Sequence, residues 1–130
     1  MKLVRAALPL TLITLAACSR GSYEQTIHDK LVKSAGANAL DCGHATGTAD
    51  YSTKTDCAMS ALHNKRPFFV QYYIVGTDAG GEYGFVFDGK RVSSLSVFTW
   101  GTAAPVGKID QSDCDIQKLK KTKPGYLICY

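Results

Sequence analysis

The chain has 130 residues, 45% hydrophobic and 20% charged, with no low-complexity tract or internal repeat; this is the composition of one globular domain and excludes disordered and fibrous classes. Its formal charge is +4, but Lys2 and Arg5 lie in a segment expected to be removed, and the remainder has 13 basic and 11 acidic side chains, which is too balanced for a nucleic-acid partner. Five cysteines are many for this length, and the odd count means that one differs from the other four.

The N-terminus reads as an export signal. Residues 1–5 carry two positive charges, and residues 6–17 are apolar or small, broken only by Pro9 and two threonines. A transmembrane helix needs roughly 20 apolar residues, and Ser19-Arg20 ends this run too early. The segment closes on Leu15-Ala16-Ala17-Cys18. That sequence resembles the lipobox of bacterial lipoproteins, in register with the charged and apolar regions before it. The resemblance covers only the first 18 residues. It implies cleavage before Cys18, which would become the new N-terminus and carry a diacylglycerol thioether and an N-acyl chain. Two or more acyl chains give stable membrane anchoring. Ser19 is not the aspartate that retains such proteins in an inner membrane, so the resemblance implies an outer-membrane, periplasm-facing address in a Gram-negative source. The expected division is therefore a signal over residues 1–17, a lipidated Cys18 with a short tether to Ser22, and one domain over residues 23–130.

In chain order, Ser22-Tyr23-Glu24-Gln25 fits a capping box. Tyr23, Ile27 and Leu31 follow at a spacing of four and share one helical face, and Gly36 is the expected stop. Residues 36–51 lack periodicity and read as a loop around Asp41-Cys42-Gly43-His44. A second helix is expected from a cap at Ser52 or Thr53, with Cys57, Ala58, Ala61 and Leu62 buried and Met59 at the edge. Pro67 ends it, because the residue before proline avoids the α region.

Residues 68–75 then alternate apolar side chains on both faces, which predicts an interior strand. A glycine-rich loop over residues 76–81 precedes a strand with Tyr83, Phe85 and Phe87 on one side. Asp88-Gly89 predicts a two-residue hairpin that pairs Phe85 with Val92. Val92 and Leu95 differ by an odd number, so burying both on one face would require a bulge at Ser93-Ser94. Residues 101–107 read as a loop, Lys108-Ile109 as a short strand, residues 113–121 as room for one helical turn, and residues 126–130 as a last strand. The expected fold is α+β: two N-terminal helices on one face of an antiparallel sheet of about four strands, a meander plus the C-terminal strand.

Once exported, Cys42, Cys57, Cys114 and Cys129 sit where disulfides persist. Three pairings are possible. Cys42–Cys57 and Cys114–Cys129 are favoured, since each closes a loop of about fifteen residues, worth roughly 3 kcal/mol, and ties a loop to a regular element. No Cys-x-x-Cys or zinc spacing is present, and the aspartate before Cys42, Cys57 and Cys114 disfavours a thiolate. No metal and no cofactor are therefore expected.

Other candidates have plainer explanations. Cys42-Gly43-His44 suggests a Cys–His nucleophile, but catalytic partners normally meet through the fold and a bridged cysteine cannot attack. His28, His44 and His63 lack metal spacing. Asp78, Glu82 and Asp88 invite an acid–base pair, although turn geometry accounts for aspartate and glycine there. The glycine-rich loop lacks the lysine and helix of a phosphate loop. Lys118, Lys120, Lys121 and Lys123 form a basic cluster that is either a solvated face or a contact with anionic headgroups or wall. Tyr72, Tyr73, Tyr83, Phe98 and Trp100 are numerous for a small sheet, and any exposed subset would mark a binding face.

The spacing of Cys42-Gly43, Cys57 with its alanine-rich helix, Arg66-Pro67-Phe68-Phe69 and Gly76-Thr77-Asp78 is similar to that of a group of small cysteine-paired bacterial envelope lipoproteins. That resemblance implies no particular activity. The reading as a whole is a non-enzymatic, lipid-anchored envelope protein, held on the membrane through Cys18, that binds an envelope protein or wall component. The alternatives are an inhibitor or immunity-type protein acting through residues 76–81 or 101–107 against a wall-degrading or toxic enzyme, and a small envelope hydrolase.

Overall fold

A computed structural model of the chain describes residues 21–77, 79–100 and 108–130. The segment expected to be an export signal, Cys18, Asp78 and residues 101–107, expected as a loop, lie outside the described residues. The element order is α1 (Gly21–Ala35), β1 (Leu40–Ala45), α2 (Thr48–His63), β2 (Phe68–Val75), β3 (Ala79–Phe87), β4 (Val92–Trp100), β5 (Asp110–Cys114), a 3-10 turn (Ile116–Lys118), β6 (Leu119–Lys121) and β7 (Leu127–Cys129).

Strands β1 to β5 form one mixed sheet in sequential order. β1 runs parallel to β2, and the remaining neighbours are antiparallel. The parallel step is made by β1–α2–β2, with α2 as the crossover helix that such a connection needs. β6 and β7 form a separate two-stranded hairpin.

This corrects the expected fold. The helices do not share a face. Phe68, Val70 and Tyr72 of β2 join one core with Tyr51, Ala58 and Ala61 of α2, whereas Phe69 joins another with Ile27, Leu31 and Ala35 of α1. Successive strand residues point to opposite sides, so α1 and α2 lie on opposite faces. The C-terminal strand is not part of the main sheet either: β7 pairs with β6, and β5 forms the sheet edge.

The two-sided cover also removes the need for a bulge at Ser93-Ser94. Val92 packs on the α2 side and Leu95 on the α1 side, and β3 and β4 pair without interruption from Phe87↔Val92 to Ala79↔Trp100. The hairpin turn is four residues rather than two, so Phe87, not Phe85, faces Val92. Asp88 Oδ1 accepts the backbone N–H groups of Lys90 and Arg91, both at 2.8 Å, which closes the longer turn.

Residues 36–51 are not a loop. They contain β1 and the first turn of α2, which begins at Thr48 after an extended Gly47, not at Ser52 or Thr53. The strand is hidden in the sequence because its register shifts between Asp41 and His44, which breaks the alternation of period two. Gly43 supplies the required positive φ of 91°, and its N–H donates to Asp41 Oδ1 at 2.7 Å. Helix α1 already includes Gly21, so Ser22 lies inside it and not at its N-cap, and Gln25 Nε2 donates forward to Asp29 Oδ1. Its stop at Gly36 is as expected: φ is +92° and the N–H donates to Val32 O at 3.2 Å.

Candidate functional site

The α1 face is closed by a single helix. Ile27 and Leu31 are fully buried over β2, β3 and β4. Leu31 sits directly on Gly84, where an added Cβ would lie 2.5 Å from Leu31 Cδ1, so the glycine is what allows the helix to approach.

The α2 face is covered by two pieces. α2 packs on β1 and β2. The β6–β7 hairpin lies beside it: Tyr126 meets Tyr51 edge-on at 5.7 Å, and Lys121 Nζ donates to Ser52 Oγ at 2.6 Å and Asp56 Oδ1 at 2.7 Å. Gly125 lies against Ser52 with a φ of +109°, leaving no room for a side chain. Both favoured disulfides are formed, and both are on this face. Cys42–Cys57 ties β1 to α2, and Cys114–Cys129 ties β5 to β7, each across fifteen positions.

Between the hairpin and strands β3 to β5 a cleft of about 410 Å³ remains. That is within the range of small-ligand sites. The strand register explains its lining. One cross-strand row runs Val70, Phe85, Ser94, Ser112, and the next runs Tyr72, Tyr83, Ser96. The rows are apolar under α2 and become serine on β4 and β5. Ser94 Oγ and Ser112 Oγ share a hydrogen bond of 3.0 Å on the floor. Tyr83, Tyr126 and Tyr130 contribute aromatic walls. At the open end, Phe98 is 44% exposed and packs edge-on against Tyr83 at 5.4 Å. Asp113 also borders the cleft, but it pairs with Ser93, whose hydroxyl donates to Asp113 Oδ1 at 3.2 Å, and this holds the carboxylate on the opposite face of the sheet. A shallower depression of about 580 Å³ beside the β3–β4 turn is bordered by Lys90, Arg91 and Asp115; the Asp115 carboxylate is spent on the N–H of Gln117.

A second polar cluster lies beneath the first turn of α1. His44 on β1 holds Glu24 Oε1 through Nδ1 at 3.0 Å and Glu82 Oε2 through Nε2 at 3.1 Å. Gln71 Nε2 donates to the same Glu82 oxygen at 3.0 Å and to the Glu24 carbonyl at 3.1 Å, while Gln71 Oε1 is buried without a protein partner. The hydrogen bond to Glu82 raises the His44 pKa above its ordinary value against the opposing effect of burial, and the charge of both carboxylates adds to the rise. With both ring nitrogens occupied by carboxylates, the imidazole has no lone pair to offer a substrate. The cluster links α1, β1, β2 and β3.

The other candidates singled out from the sequence separate in the fold. Cys42 is bridged, which rules out a Cys42–His44 nucleophile pair. Glu82 is on the α1 face, while Asp88 is beyond the far end of β3, where the N–H groups of Arg91 and Lys90 lower its pKa. His28 packs edge-on against Phe69, and His63 ends α2. Lys118, Lys120, Lys121 and Lys123 are all exposed, but Lys121 is committed to α2 and Lys120 Nζ lies 5.3 Å over the Tyr130 ring. Tyr72 is core: its hydroxyl meets Thr55 Oγ1 at 2.7 Å, and burial pushes its pKa up. Among the described residues no group of three His, Cys, Asp or Glu converges as for a metal, and no helix is long and apolar enough to cross a membrane.

The sequence carries two less obvious signals for these sites. Gln71 interrupts an apolar strand buried on both sides, so it needs buried polar partners. Three serines, Ser93, Ser94 and Ser96, occupy a strand where alternation calls for apolar residues. Compared with protein-family models, with curated proteins and with solved structures, the chain matches none.

Proposed function

We propose that this chain is a lipid-anchored envelope protein that binds, without chemical conversion, a wall or envelope component in the cleft between the β6–β7 hairpin and the sheet. The observation that carries this reading is the lining of that cleft. It presents aromatic rings and hydroxyls, with no charged side chain from the residues that border it turned inward and no nucleophile beside a base. The N-terminal segment read as an export signal and the lipobox resemblance at Cys18, with the short tether expected from Cys18 to Ser22, support the proposed location.

Two measurements test the parts. A Cys18→Ser variant is expected to accumulate as unprocessed precursor; normal processing with membrane retention would falsify the anchor. Chemical crosslinking in the intact envelope is expected to recover a reproducible adduct from the unaltered protein and to lose it in Ser96→Trp, which fills the cleft. An adduct indifferent to that substitution places the binding surface elsewhere.

A further inference from the structure

We infer that the ligand of this cleft is a neutral glycan. The inference rests on the binding reading above and names the ligand class for the same site. A sugar ring offers an apolar C–H face and a rim of hydroxyls. The cleft offers the complement of both: aromatic side chains at Tyr83, Tyr126 and Tyr130, extended by Phe98 packed on Tyr83 just beyond the lining, and a floor of serine hydroxyls at Ser94, Ser96 and Ser112. From Ser94 to Phe98 the floor and its open end run four positions along β4, about 13 Å, or roughly two linked sugar rings.

Other ligand classes fit less well. An extended peptide gains its affinity by adding a strand to a free sheet edge. Here the floor is the face of the sheet, and its serines on β4, Ser94 and Ser96, lie where that strand is paired with β3 on one side and β5 on the other. An anionic headgroup requires cations, yet no Lys or Arg lines the cleft; Lys120 is at the rim against Tyr130. An acyl chain would satisfy the aromatic walls but would bury the Ser96 hydroxyl against hydrocarbon, which is unfavourable, and would leave the Ser94–Ser112 pair bonded only to itself. A neutral polyhydroxyl ligand satisfies floor and walls together.

The test uses the intact protein, purified in a non-glycosidic detergent and followed by backbone amide shifts. It is titrated separately with chitotetraose, an N-acetylated strand, with maltotetraose, an unacetylated one, and with a neutral hexapeptide. Saturable shifts at Ser94, Ser96 and Ser112 with at least one sugar support the inference; the two sugars distinguish a wall-type strand from another envelope glycan. Tyr130→Ala and Phe98→Ala, both at exposed positions, are expected to weaken sugar binding about threefold to tenfold with unchanged thermal unfolding. Shifts with the peptide alone, shifts confined to other surfaces, or no shift with either sugar would overturn it. If the sugars fail while the envelope adduct still depends on Ser96, only the ligand class falls. If that adduct is also absent or indifferent, the binding reading falls with it.

Discussion

The two faces of the sheet are covered in different ways. The α1 face is closed by one helix that buries Ile27, seats Leu31 on Gly84 and is linked underneath by His44, Glu82 and Glu24. The opposite face is covered by α2 and by a hairpin whose strands have only three residues each. A two-stranded hairpin of that size has little stability of its own. It is held by Cys114–Cys129 on one side and by α2 on the other. The noncovalent face is tightly filled, while the disulfide-stapled face keeps an opening. Cys114–Cys129 adds a covalent tie to a cover that also buries Leu119 and Leu127 in the core, and the sheet keeps a cleft beside it.

The largest expected effect is on the filled face. Leu31→Ala removes a fully buried side chain and is expected to cost about 2–5 kcal/mol in denaturant unfolding. Next is the staple: replacing Cys114 and Cys129 together by serine is expected to cost roughly 3 kcal/mol and to abolish the cleft-dependent adduct. If adduct formation survives this change, the disulfide is not what maintains the cleft.

Glu82→Gln addresses the polar link and is expected to cost about 1–3 kcal/mol. The folded-state pKa of His44 is raised above the ordinary value of 6.5. Its contribution is therefore full below 6.5 and is lost as pH rises through the raised value. The stability gap between the unaltered protein and Glu82→Gln should accordingly shrink as pH increases; a gap that widens contradicts the assignment. The smallest effect belongs to Lys121→Ala. Its ion pair with Asp56 is solvent-exposed, so a loss of about 0–1 kcal/mol is expected.

Much of the framework is legible in the sequence. Ile27 and Leu31 at helical spacing, the two-sided strand over residues 68–75 and the cysteine pairs closing short loops all follow from local rules. The placement of the helices is not. Val92 and Leu95 carry the missing information, because their odd spacing means two buried faces rather than a bulge, and that places one helix on each side. β1 escapes notice since a shifted register and Gly43 disrupt its pattern. The His44 cluster joins residues 20 and 38 positions apart, a relation only the fold creates. The cleft depends on where a C-terminal hairpin docks, which no periodicity encodes.

The central claim is that the open face, not the filled one, meets the envelope. A photo-crosslinking residue placed in the full-length protein at Ser96, within the cleft, and separately at Val32, exposed on α1, tests it most directly. The account predicts a reproducible envelope adduct from position 96 and none from position 32. Adducts from position 32 alone, or equally from both, would contradict it.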